Sequence, residues 1–94
     1  MAELDPYVHE PVRLRAMMVL SGVARADFDF LRTTLGLTKG NLSWHMAKLE
    51  QAGYVAIRKS FRGKIPHTEY SLTDAGRRAL ADYWAALDEI RRLA

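Results

Sequence analysis

The spacing of apolar side chains divides the chain into five stretches. Val12, Ala16, Val19 and Leu20 recur at helical intervals. Pro11 is tolerated in a first helical turn, so a helix is predicted over about residues 10–21, ending at Ser21-Gly22. Met17 and Met18 are expected to fill gaps in the core. Asp27 is placed to cap a second, short helix over about 27–35, which carries Phe28, Leu31 and Leu35 and closes at Gly36. Thr38 caps a third over about 39–52, with Leu42, Met46 and Leu49 on one face and Gly53 as its stop. Beyond Gly53 the period drops to two. Val55 and Ile57 alternate with Ala56 and Arg58, Phe61-Arg62-Gly63-Lys64 has the chemistry of a turn, and Thr68, Tyr70 and Leu72 alternate on the return. A β-hairpin over about 54–72 follows, with Pro66, which has no N–H, at an edge or tip. Thr73 caps a last helix over about 74–93, on the order of 30 Å long. Its Leu80, Tyr83, Leu87, Ile90 and Ala94 are spaced 3-4-3-4, the pattern of a seam between two helices.

Two helices joined by a turn of about three residues make a helix-turn-helix. A hairpin after the third helix makes the expected fold α+β and mainly helical: a winged helix-turn-helix over residues 1–94 as one domain, with a long C-terminal helix left for dimerisation. In such an arrangement the third helix enters a DNA groove and the hairpin touches the flank. At 100° per residue, Met46 and Leu49 fall within about 40° of Leu42. Gly40, Trp44, Ala47, Lys48 and Gln51 lie on the far side, flanked by Asn41 and Ser43. That opposite face mixes small, hydrogen-bonding and basic residues, as a groove-reading surface requires.

Charge sharpens the picture. The 94 residues carry a formal net charge of +3. Residues 1–37 hold four basic side chains against five acidic ones, residues 73–94 hold four against four, and residues 38–72 hold six against two. The whole excess therefore sits on the third helix and the hairpin, where a local positive field attracts a polyanion. Lys39 and Lys48 are expected at phosphates, and Asn41 and Ser43 near the helix start at base edges. Gly40 lets a phosphate or backbone approach closely. Trp44 either wedges against sugar and bases or packs under the wing; His45, about 60° from the apolar stripe, either packs half-buried or contacts DNA. Arg62 and Lys64 flank Gly63 as a basic hairpin tip suited to the DNA backbone or minor groove.

The stretch Leu37-Thr38-Lys39-Gly40-Asn41-Leu42-Ser43-Trp44-His45-Met46, then Lys48-Leu49-Glu50 and Ala52-Gly53-Tyr54-Val55, resembles the recognition helix of small winged-helix transcriptional regulators of the MarR and ArsR groups. The likeness runs on through Lys59-Ser60-Phe61-Arg62-Gly63-Lys64, Pro66, Thr68 and Leu72-Thr73-Asp74-Ala75-Gly76-Arg77, covering about residues 27–80. It implies a prokaryotic, cytoplasmic, DNA-binding homodimer acting on a pseudo-palindromic operator, with Lys39, Gly40, Asn41, Ser43, Trp44, His45, Lys48, Arg62 and Lys64 facing double-stranded DNA. The terminal helices would form the dimer interface, here through Leu80, Tyr83, Trp84, Leu87 and Ile90.

Several classes are disfavoured. There are no cysteines, so disulfides, thiolate metal sites and cysteine nucleophiles are excluded. His9, His45 and His67 fall in three different elements, and no metal or other cofactor is expected. Ser43 and His45, two apart on a helix, diverge, and Asp27 and Asp29 do likewise, so no enzyme is expected. The longest apolar run, residues 16–20, is far short of the ~20 residues of a membrane span. The acidic start Met1-Ala2-Glu3-Leu4-Asp5 lacks the layout of a signal peptide. Any small effector would bind near the dimer interface, among Tyr7, Tyr83 and Trp84. The competing expectation is a winged helix used for protein–protein docking without DNA, which the outward Trp44 and Ala47 keep open.

Overall fold

Each helix opens where a polar side chain turns back to satisfy a free backbone N–H. The computed structural model describes residues 2–94; Met1, the start of the acidic N-terminal stretch, lies outside them. Glu10 accepts from the N–H of Arg13 and opens helix α1 (Pro11–Ser21), with Pro11 at the first helical position, where its missing N–H has no intrahelical partner to lose. Asp27 accepts from the N–H of Phe30 at 2.8 Å and opens α2 (Phe28–Leu35). Gly36 ends α2 in the left-handed region, φ 67°, which costs glycine least. Thr38 accepts from the N–H of Asn41 at 3.2 Å and starts α3 (Lys39–Gln51). Thr73 accepts from the N–H of Gly76 at 3.0 Å and starts α4 (Asp74–Leu93).

Three antiparallel strands complete the fold, β1 (Ala26–Asp27), β2 (Val55–Arg62) and β3 (Ile65–Leu72), in the order β1-β3-β2. Strands β2 and β3 stay in register from Val55↔Leu72 to Arg62↔Ile65. Gly63 and Lys64 alone form the loop, so Phe61 and Arg62, expected in the turn, belong to β2 instead. Gly63 has φ 62° while among the described residues no non-glycine residue has positive φ, the pattern of a two-residue type II′ turn. Strand β1, which pairs Ala26 with Tyr70 and Asp27 with Glu69, has no counterpart in the expected elements, because two residues are too few to show alternation. Pro66 sits opposite Phe61, beyond the reach of β1, where β3 has a neighbour on one side only.

The core gathers Val8, Met17, Leu20, Leu31, Leu42, Met46 and Leu49, all fully buried, with Val55, Tyr70, Leu72, Leu80 and Tyr83 around them. Met18 is not part of it: it is exposed, because Ala16, Met17 and Leu20 define the inward side of α1 and the next residue points away from their centre. Residues 2–9, which carry no periodic signal, are nonetheless anchored. Val8 is buried and Leu4 packs against the core; Asp5 accepts from the N–H of Tyr7 at 2.8 Å and from the hydroxyl of Tyr54.

One junction ties α3, the hairpin and α4 together. The N–H of Thr73 donates to the carbonyl of Tyr54 at 3.0 Å, and its hydroxyl donates to the carbonyl of Gly53 at 2.7 Å. Gly76, in the first turn of α4, passes so close that a Cβ would lie 2.2 Å from the Tyr54 carbonyl oxygen. The molecule measures 54 × 24 × 21 Å, with the distal ends of the hairpin and of α4 both exposed.

Candidate nucleic-acid interface

Burial of Leu42, Met46 and Leu49 fixes the rotation of α3. Lys39, Gly40, Asn41, Ser43, Trp44 and Ala47 are exposed on its other sides. A Cβ built on Gly40 meets nothing within 4 Å, so its backbone faces open space. Asn41 and Ser43, the expected base readers, are exposed on the first half of the same helix.

Trp44 does not pack under the wing, one of the two places expected for it. It is 57% exposed, and its neighbours belong to the N-terminal segment, α1 and α3 itself rather than to the wing. The Lys48 ammonium lies 5.2 Å from the indole centroid and the Arg13 guanidinium 6.0 Å from it, distances at which a cation is attracted to the ring. Pro6 and Tyr7 line the same cleft. Lys48 is accordingly half-buried, its charge held over the ring.

His45 is drawn inward, to the junction of α1 and α3. Its Nδ1 accepts from Nη1 of Arg13 at 3.1 Å and stands 3.7 Å from the Glu10 carboxylate. This places its side chain, 14% exposed, in the packing role rather than on the open face. Arg13 also donates through Nε to the carbonyl of Tyr7 at 2.7 Å and through Nη2 to that of Pro6 at 3.3 Å. The guanidinium thus joins the N-terminal segment to the candidate recognition helix, a role no spacing in the sequence signals: its partners are two backbone carbonyls and a histidine 32 positions away.

Arg62 and Lys64 are exposed at the hairpin tip. Further back, His67 lies with Nε2 3.8 Å from the Glu69 carboxylate. Two tyrosines at the base of the hairpin titrate high. The hydrogen bond to Asp5, then burial, pushes the Tyr54 hydroxyl up to about 12. Burial first, and Glu50 second, raises Tyr70.

The residues expected to form a seam along α4 separate into two groups. Leu80 and Tyr83 are buried in this chain's own core, and Tyr83 is hydrogen-bonded through its hydroxyl to Nδ1 of His9 at 2.9 Å. A face that already packs on its own domain has nothing left for a partner, so these two leave the expected interface. Trp84 and Leu87 are exposed, Ile90 is half-buried, and Leu93, exposed near the end of the helix, lies on the side opposite Trp84. The aromatic trio expected around an effector is also divided. Tyr83 and Trp84 stack edge-on at 5.4 Å, while Tyr7 lies against Tyr54 and in the Trp44 cleft.

Among the described residues no helix is long and apolar enough to cross a membrane.

Comparison with known proteins agrees with this architecture. A protein of Methanocaldococcus jannaschii of uncharacterized function is 37% identical over 73 residues, 77% of this chain and 78% of its own length. The solved structure of a transcriptional regulator homologue from Pyrococcus horikoshii superposes with a TM-score of 0.84 at 30% identity, over 92% of this chain and 85% of that one. A MarR-family regulator structure from Enterococcus faecalis has the same fold, with a TM-score of 0.73 at 24% identity over 93% of this chain and 77% of that one. The family model for the winged helix DNA-binding domain matches residues 12–91. The chain belongs to the winged helix DNA-binding domain family.

Proposed function

We propose that this protein is a sequence-specific transcriptional regulator that binds double-stranded DNA as a homodimer. The observation that carries the reading is the exposed face of α3. Lys39, Gly40, Asn41, Ser43 and Trp44 take no part in the core, and they sit in the one third of the chain that holds the entire charge excess. In this reading α3 lies in the major groove, with Asn41 and Ser43 at base edges and Lys39 and Lys48 at phosphates. Arg62 and Lys64 follow the flanking backbone or minor groove. His45 acts from behind, holding α3 against α1. The regulator homologue from Pyrococcus horikoshii, similar over most of both chains, supports the regulatory assignment.

Dimerisation rests on the far half of α4. Trp84 and Leu87 are exposed three residues apart on one side of the helix, with half-buried Ile90 one turn further on, and such an apolar stripe is best covered by its own copy in a symmetric pair. Two α3 helices would then enter major grooves about one turn, ~34 Å, apart on a pseudo-palindrome.

Selecting duplexes from a random pool with the purified protein tests binding, specificity and half-site spacing together. If about eight to ten phosphates are neutralised per dimer, log K falls against log salt with a slope of about −7 to −9. A slope near zero sinks the reading. The exposure of Trp44 favours one rival, a docking module for another protein. Charge reversal at Arg62 and Lys64, away from the Trp44 cleft, separates them: it abolishes duplex binding by a DNA reader and spares a protein-docking surface.

A further inference from the structure

Two of the most exposed large apolar side chains in the molecule sit beside the hairpin turn. Phe61 is 72% exposed and Ile65 71%. Cross-strand partners share a face of a sheet. Phe61 therefore stands with Pro66 on one face and Ile65 stands with Arg62 on the other. The tip is apolar on both sides of its two-residue loop. Only the base of the hairpin, at Val55, Tyr70 and Leu72, is buried, so the tip has no core of its own to serve.

The same tip is cationic. Between Ile57 and Glu69 the chain carries Arg58, Lys59, Arg62 and Lys64 and no carboxylate. An exposed apolar group alone is unremarkable on a protein surface. Apolar groups on both faces of a projecting hairpin, framed by four cations, suit a partner with apolar walls between two rows of negative charge. The minor groove of DNA has that chemistry: deoxyribose C–H surfaces form its walls and phosphates line its rims.

We infer that the wing is an apolar wedge, with Phe61 and Ile65 packing on sugars and a base step in the minor groove while Arg62 and Lys64 hold the phosphates on either side. The inference rests on the DNA-binding reading above and adds which atoms enter the groove. Phe61 then supplies affinity that does not depend on salt, and Arg62 supplies affinity that does.

The test compares full-length wild type with Phe61→Ser, Phe61→Leu and Arg62→Ala on a duplex chosen by the selection described above, each titrated across salt concentrations. Phe61→Ser is expected to weaken binding about tenfold or more with the salt slope unchanged, and Phe61→Leu to recover most of the loss. Arg62→Ala, which removes one phosphate contact from each protomer, is expected to lower the slope by about two units for the dimer. Thermal melts of the free proteins check the fold, which a side chain this exposed should leave intact. Wild-type affinity in Phe61→Ser overturns the wedge while leaving DNA binding standing. No duplex binding by the wild type overturns both. A membrane surface is the other anionic partner this tip resembles. Binding to anionic phospholipid vesicles that is lost in Phe61→Ser, with duplex binding unchanged, also overturns the inference.

Discussion

The guanidinium of Arg13 on α1 donates to Nδ1 of His45 on α3 across 3.1 Å. Arginine has donors only, so Nδ1 must be the acceptor and the ring proton of His45 sits on Nε2. The arrangement fixes the side of α3 opposite its exposed face. It also makes the N-terminal segment, held by the other two donors of the same guanidinium, a support for the helix proposed to read DNA.

Arg13→Ala is expected to destabilise the fold by about 2 kcal/mol, the scale for losing charge-assisted hydrogen bonds that hold partly buried groups. Arg13→Lys recovers little, because a single ammonium cannot reproduce the three-way fork. Urea unfolding measures the first effect, and nitrogen-15 spectra of the His45 ring show whether the Nε2–H form loses its dominance.

Tyr54 gives a pH dependence with a definite sign. Its folded value, about 12, lies above its ordinary 10.0. Its contribution is therefore complete below pH 10 and is lost as pH rises from 10 through about 12. Wild type should lose stability across that window more steeply than Tyr54→Phe, which has no proton to release there. Equal slopes for the two proteins refute the Asp5–Tyr54 contribution.

Gly76→Ala should be among the most damaging single-methyl additions in the chain. The new Cβ would fall 2.2 Å from the Tyr54 carbonyl oxygen and 2.8 Å from a Leu72 methyl group. Backbone must move, at a cost of about 3 kcal/mol, the upper end of ordinary overpacking. A lowered denaturation midpoint with an unchanged denaturant slope is the expected record.

Gly40→Ala should act in the opposite direction on stability. A methyl group there meets open space, and alanine favours the helix by up to about 1 kcal/mol. If a phosphate or groove wall approaches the Gly40 backbone as proposed, the same variant binds its duplex more weakly. A more stable protein with undiminished affinity would show that nothing approaches at this position.

On α4, Trp84→Glu combined with Leu87→Glu should yield a folded monomer in sedimentation, because both side chains are exposed in the single chain. Leu80→Ala should instead unfold the protein partially or lower its stability by about 2–5 kcal/mol. A dimer that survives the double charge substitution removes this part of α4 from the interface.

The capping residues and glycine stops were legible in the sequence because each acts on backbone only three or four residues away. Asp27, Thr38 and Thr73 are examples, and they set the helix starts. The exposed face of α3 was legible for the same kind of reason: three apolar residues define a stripe, and the rest must face elsewhere. The α4 seam was legible only as a pattern. A 3-4-3-4 spacing says that one side is covered without saying by what, and Leu80 and Tyr83 are covered by their own domain. Strand β1 and the N-terminal segment escaped because their order comes from distant partners, Tyr70 and Glu69 for one and Tyr54 and Arg13 for the other. The wing tip was legible as basic. Phe61 read as part of the turn, and Ile65 carried no signal of its own, until the register placed both on strand ends past the core.

The junction of Thr73 and Gly76 with Gly53 and Tyr54 has a mechanical meaning. It rivets the start of α4 to the end of α3 and the root of the hairpin, with no side chain at Gly76 to act as a spacer. In a pair joined through the far half of α4, each helix is then a rigid arm about 30 Å long, and the reading head moves with it as one piece. A small change of angle between the two arms would alter the distance between the heads without deforming either of them.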